Sequence, residues 1–264
     1  MTALYGLHTI AQSKRGESMR SSSLKCGFFT FYLALLFFLV YVTTVIATPS
    51  GPTMTLHSNE TYTPLSGSLL NTTGGSISTL MLNATSQNLH WKAYVGNVTG
   101  KLALQDLVGS TIYDWQVTAA TGMVYATRKS TTANWTNINC SNATHLRNED
   151  IAMNHTNKDD NISKTFNLQT HDSFFVGSKQ IPADYCFSLY TYVNNGSQAT
   201  SIDEVALYDG TNSTNGYVVY GTVIEVDHPG FDNQTYDFQM IIPEKGIAGW
   251  SSSTAYYFYV EITG

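Results

Sequence analysis

From residue 89 to the end, the chain is a succession of short apolar runs closed by Gly, Asn, Asp or Ser. That punctuation constrains the fold more than any other feature. The runs are Leu89–Val95, Lys101–Gln105, Thr111–Val117, Gly122–Arg128, Phe174–Val176, Cys186–Val193, Glu204–Tyr208, Tyr217–Val226, Tyr236–Ile242 and Ala255–Ile262. In the first, Trp91, Ala93 and Val95 share one face and Lys92 and Tyr94 the other, the period of a strand. Tyr256, Phe258 and Val260 share a face in the last. The Gly96–Gly100 link predicts a hairpin between the first two runs. No 11-residue window after residue 50 carries a convincing helical stripe. About ten short strands with turn-rich links predict an all-β ectodomain, an antiparallel β-sandwich or jelly roll of roughly 200 residues. Hydrophobic residues make up 42 % of the chain, so a core is available to it.

A different pattern precedes these runs. Residues 26–47, CGFFTFYLALLFFLVYVTTVIA, carry no charge. They are long enough to cross a bilayer core of about 30 Å as a helix. Lys14, Arg15, Arg20 and Lys25 all lie before the run. The positive-inside rule therefore leaves residues 1–25 as a basic inner tail and puts the C-terminal portion outside. The Val45-Ile46-Ala47 end also has the small residues of a signal-peptidase site. A transmembrane helix or uncleaved signal and a cleaved secretory signal are both open at this point. A third reading is a pilin-type leader cut near Gly16 or Gly27.

Twelve Asn-x-Ser/Thr sequons, none with Pro in the middle, lie downstream of that run. They begin at Asn59, Asn71, Asn83, Asn97, Asn134, Asn139, Asn142, Asn154, Asn161, Asn195, Asn212 and Asn233. With 19 Asn in the chain, chance would give about four. The excess points to N-glycosylation outside the cell, on the side that the basic residues also predict. Charged residues are only 12 % of the chain, and Ser, Thr and Asn replace them as solvating groups. After residue 47 nine Lys/Arg face eighteen Asp/Glu, with no basic cluster. That balance argues against nucleic acid as a partner and against charge-driven docking on anionic lipid.

Residues 48–66 are rich in Thr, Ser and Pro and read as a linker, leaving 67–264 as the glycosylated ectodomain. The polar stretch 137–170 holds four sequons, with that at Asn134 just before it. It reads as a long, glycan-decorated insertion loop, a disordered shield or an ordered binding loop, with shielding the favoured reading. Only Cys140 and Cys186 lie beyond the membrane edge, where Cys26 sits. In an oxidising compartment they are expected to form one disulfide, pinning the base of the insertion.

Motifs for chemistry are sparse. The histidines show no HxxxH or HxH spacing. No metal site, cofactor or catalytic residue is expected. His171-Asp172, and His155 with Asp159 and Asp160, read as solvated loop residues. The Asp209-Gly210-Thr211-Asn212 turn has oxygen ligands but not the spacing of a calcium loop. Paired carboxylates of a glycosidase need no local motif and keep a polysaccharide-active enzyme among the alternatives. Trp135 and Trp250 lie in Ser/Thr/Asn-rich surroundings. They are the candidate carbohydrate contacts, while Trp91 and Trp115 read as core.

The stretch LHWKAYVGNVTG at 89–100 leads into KLALQD, TIYDWQV and GMVYATR. With HDSFFVGS at 171–178, TYVNNGSQ at 191–198 and YDFQMIIPE at 236–244, it resembles a group of archaeal secreted surface proteins of unassigned function. The resemblance covers roughly residues 88–244. It implies an archaeal envelope protein with a β-rich, N-glycosylated exterior, and supplies no catalytic or binding residues. The expected protein is a non-enzymatic surface glycoprotein, structural or adhesive. Its partners would be the membrane, through residues 26–47, and neighbouring surface proteins or glycans. The alternatives are a pilin-like filament subunit and a secreted carbohydrate-binding or polysaccharide-active protein.

Overall fold

The computed structural model describes residues 48–117, 120–156, 158–196, 198–211, 217–246 and 253–263. The basic tail 1–25, the apolar run 26–47, Asn212 and Trp250 lie outside the described residues. Among the described residues, no helix is long and apolar enough to cross a membrane.

The strands are β1 (Trp91–Gly96), β2 (Lys101–Gln105), β3 (Thr111–Gln116), β4 (Thr121–Thr127), β5 (Asn139–Cys140), β6 (Phe174–Val176) and β7 (Lys179–Ile181). They continue as β8 (Ser188–Tyr192), β9 (Gln198–Tyr208), β10 (Val219–Val223), β11 (His228–Pro229), β12 (Thr235–Tyr236), β13 (Phe238–Pro243) and β14 (Tyr257–Thr263). Between β5 and β6 lie two helices, α1 (Ala143–Met153) and α2 (Ile162–Thr165). All strand pairs are antiparallel, and each of the ten runs predicted from sequence holds a strand.

The centre is a six-stranded sheet in the order β14-β4-β10-β9-β5, with β8 also paired to β9. Alternation along its strands feeds two cores rather than one. Val124, Ala126, Ala206 and Tyr220 point into a layer with Met240 and Ile242 of β13, Leu146 and Met153 of α1, and Ile162 and Phe166. Met123, Tyr125, Val205, Leu207 and Val219 point the other way, onto Phe174, Val176 and Ile181 of the β6–β7 hairpin, with Trp135 and Ile138. A sheet buried on both faces reads as a near-continuous apolar run. Met123-Val124-Tyr125-Ala126 is such a run, and all four side chains are buried.

Two expectations fail here. The runs at 89–95 and 101–105 do not form a hairpin: β1 pairs with β13 from Trp91↔Pro243 to Gly96↔Phe238, and β2 pairs with β3. The link between them is held elsewhere, because the Asp237 carboxylate accepts from Val98 N at 2.7 Å and Asp237 N donates to Gly96 O. The stretch 137–170 is not a loop. Asn142 caps α1, its Oδ1 accepting from His145 N while its own N–H reaches His145 Nδ1, a reciprocal box. Asn154 ends the helix in the left-handed region at φ 60°. The buried face is Leu146, Glu149, Asp150 and Met153, spaced as a helical stripe. Two of its four members are acidic, which hid it from an apolar count.

Those two carboxylates are buried because partners await them. Arg128, at the end of β4, grips Glu149 with Nε to Oε1 at 2.7 Å and Nη2 to Oε2 at 2.9 Å. Asp150 accepts from Ile162 N at 2.7 Å and from the Ser163 hydroxyl, so α1 caps α2. Cys140 and Cys186 form a disulfide, as expected, and join the start of this region to the strand before β9. Removing one partner of a buried ion pair strands the other charge. Glu149→Ala is expected to lower unfolding free energy by about 3–5 kcal/mol, read as a shift in urea midpoint. An unchanged midpoint would show that α1 does not depend on this contact.

Candidate functional site

Eleven of the twelve sequon asparagines lie among the described residues, and none is buried. Asn59, Asn71, Asn83, Asn97, Asn139, Asn142, Asn154, Asn195 and Asn233 are exposed, and Asn134 and Asn161 are half-buried. Local geometry explains several placements. Asn154, Asn195 and Asn233 have φ of 60°, 53° and 69°, the conformation Asn tolerates best among residues with a side chain. Asn142 and Asn161 begin α1 and α2, each with Oδ1 accepting a backbone N–H. An N-glycan attaches through the amide nitrogen, so the oxygen can cap a helix while the nitrogen carries sugar. Asn134 Oδ1 accepts from the hydroxyl of Thr136, the third residue of its own sequon, at 2.7 Å. Four of these sequon asparagines, Asn139, Asn142, Asn154 and Asn161, stand on or at the ends of secondary structure.

The candidate carbohydrate contact at Trp135 is not at the surface. Its ring is buried, 5.0 Å from Tyr125 and 5.1 Å from Tyr259 between centroids. A polar sequence neighbourhood did not make it exposed, because a 3-10 turn at Trp135–Asn137 tucks the indole under the sheet. Conversely Trp115, expected in the core, is 51 % exposed.

The histidines expected in solvated loops are structural. His155 is fully buried and its Nε2 donates to Glu244 O at 2.6 Å. His90 pairs with Asp160 at 2.7 Å, and Trp91 Nε1 donates to Asp160 O. These contacts tie the region after α1 to β1 and β13. His171 Nε2 lies 3.1 Å from Tyr185 N and 2.8 Å from Cys186 N, and Nδ1 lies 2.7 Å from Asp172 O, beside the disulfide. In the 209–212 turn the Asp209 carboxylate accepts from Lys129, Asn134 N and Thr211. Its oxygens are thereby committed to protein donors. Among the described residues no three His, Cys, Asp or Glu side chains gather as a metal site.

Several acidic groups titrate away from their ordinary values. Burial pushes Glu204, one of the largest departures, well above the carboxylate range, although Ile241 N donates to it. Glu244 is disfavoured by burial, but Lys92 and Thr254 overcome that and hold it down at about 2. Asp203 is raised to about 6, first by burial. Bonding to the Asp172 backbone and the nearby His171 oppose the shift, and the charges of Asp172 and Glu225 add to it. The chain matches no family model, no curated protein and no solved structure.

The raised Asp203 makes a pH-dependent contribution of defined sign. Its unfolded value is about 3.9, so between about pH 4 and pH 6 the folded chain holds a proton that the unfolded chain releases. The stabilisation is complete below pH 4 and is lost as pH rises through about 6. Asp203→Asn removes the titration. It is expected to melt above the parent at pH 7 and level with it below pH 4. An offset that does not vary with pH would contradict the assignment.

Proposed function

We propose that this chain is a non-enzymatic, N-glycosylated surface protein with a structural or adhesive role, held at the membrane by residues 26–47. The observation that carries the reading is that every described sequon asparagine reaches solvent. Twelve sequons are a strong signal only if sugar can be attached to them, and burial of several would have spoiled it. The disulfide supports the same compartment. The ectodomain is read as a β-sandwich-like body whose buried carboxylates Glu149, Asp209 and Glu261 are engaged with internal donors. The resemblance of residues 88–244 to archaeal secreted surface proteins is the ground for reading the envelope as archaeal.

Release by cleavage after Ala47 is the second reading, favoured by how soon after it in sequence the folded body begins. Ser50 already pairs with Val260 of β14, so the chain is structured three residues past the cleavage signal. Intact and peptide mass spectrometry of native protein from membranes and from medium separates the two. Residues 26–47 retained in membranes, with glycans on several sequons, is the expected result. A soluble start at Thr48 would make the protein a secreted factor. Unmodified asparagine at all twelve sites would remove the glycoprotein reading.

A further inference from the structure

The exposed large apolar side chains are not scattered. Ten lie in residues 51–88, which form no strand or helix. Six more lie on the β2–β3 hairpin, and the other seven are dispersed. In the first group Leu69 is 95 % exposed, Ile77 99 % and Met81 98 %. A monomer in water rarely leaves so many large apolar side chains of one segment uncovered.

The two surfaces have complementary form. Strands β2 and β3 pair only with each other among the described residues, so each keeps an open edge. Register puts Leu102 opposite Trp115 and Leu104 opposite Tyr113, which makes one face of the hairpin apolar. The Tyr113 and Trp115 rings are 4.9 Å apart on it. Lys101 and Asp114 pair on the other face. Residues 77–82, ISTLML, are strand-length and β-prone, with no charge, Pro or Gly. That is the composition of a segment that adds to an open sheet edge. Between residues 51 and 88 the sole charged residue is Glu60, so no charge opposes the meeting. No sequon falls on the hairpin, which lies in the longest interval between successive sequons, Asn97 to Asn134.

We infer that residues 77–82 of one copy of this chain add as a strand to the β2–β3 hairpin of a second copy. At about 100 Å² per large side chain, Ile77, Leu80, Met81 and Leu82 with the six exposed groups of the hairpin would bury on the order of 1,000 Å². That reaches the lower bound of about 1,000 Å² for a specific protein–protein interface. The donating and accepting surfaces differ, so the contact is heterologous. Repeated, it joins copies head to tail into a ring or an open fibre. The inference rests on the structural reading proposed above and names the partner for it.

Cysteine trapping tests the contact directly. Full-length chains bearing Met81→Cys and others bearing Leu104→Cys, each with Cys26→Ser and a different tag, are co-expressed and oxidised in the membrane. Both substituted sites are exposed, so folding is not at stake. The expected result is a disulfide-linked species carrying both tags, largely lost when Ile77→Asp is added to the Met81→Cys chain. Absence of the mixed species, with both thiols open to alkylation, overturns the inference, and so does protection of both thiols by lipid. When both cysteines are placed in one chain, a bridge confined to monomers also overturns it, since the segment then folds onto its own hairpin. Glycan mass is read on the same bands. Bare chains that cross-link contradict the glycoprotein reading alone, and glycosylated chains that do not cross-link contradict the contact alone.

Discussion

A sheet with apolar side chains on both faces must be covered twice, and the rest of this molecule follows from that constraint. The β6–β7 hairpin and the turn at Trp135 cover one face, while β1, β13 and the two helices cover the other. The helices of the second cover are drawn from the polar stretch 137–170. Such a stretch cannot be held by hydrophobic contact alone. It is held by the disulfide at its base, the Arg128–Glu149 pair, the Asp150 cap on α2, and the His90, Trp91 and His155 contacts. Each has a buried or half-buried polar group matched to a partner, the condition under which burial of polarity is tolerated.

The few charges in the chain are accordingly placed where they organise structure. Glu149, Asp150, Glu204, Asp209 and Glu261 are all buried, and solvation of the outside is left to Ser, Thr and Asn. That division suits a surface on which sugar supplies the hydrophilic cover. Asn142 and Asn161 are each a helix cap and the first residue of a sequon.

The strands were legible in the sequence because period-two alternation and turn residues are local signals. Their partners were not. The Gly96–Gly100 link had hairpin composition, yet the carboxylate of Asp237, far along the chain, captured it. Helix α1 escaped for a different reason. Its stripe at positions 146, 149, 150 and 153 is complete only if Glu149 and Asp150 are admitted to the buried face, and nothing nearby announces that Arg128 will meet one of them. The local signals that could have marked the helix were Asn142 and Asn154, spaced as start and stop, but both also began sequons and were read only as such. Trp135 was misplaced for a related reason. Its Asn and Thr neighbours form a 3-10 turn and a sequon, and their polarity does not put the indole in water. The disulfide was legible because two cysteines in one compartment leave one intramolecular pairing.

Glycan acceptors on ordered elements sit at fixed positions relative to the core, whereas acceptors on a shielding loop do not. Fixed positions for the sequons of 137–170 require that stretch to be a layer of the fold. Native-state hydrogen exchange on the α1 amides, Ala143–Met153, measures this most directly. Protection lost only together with that of β4, in one cooperative opening, is the predicted result. Exchange of those amides as fast as residues 51–88, while β4 stays protected, would contradict it and return the segment to a loop.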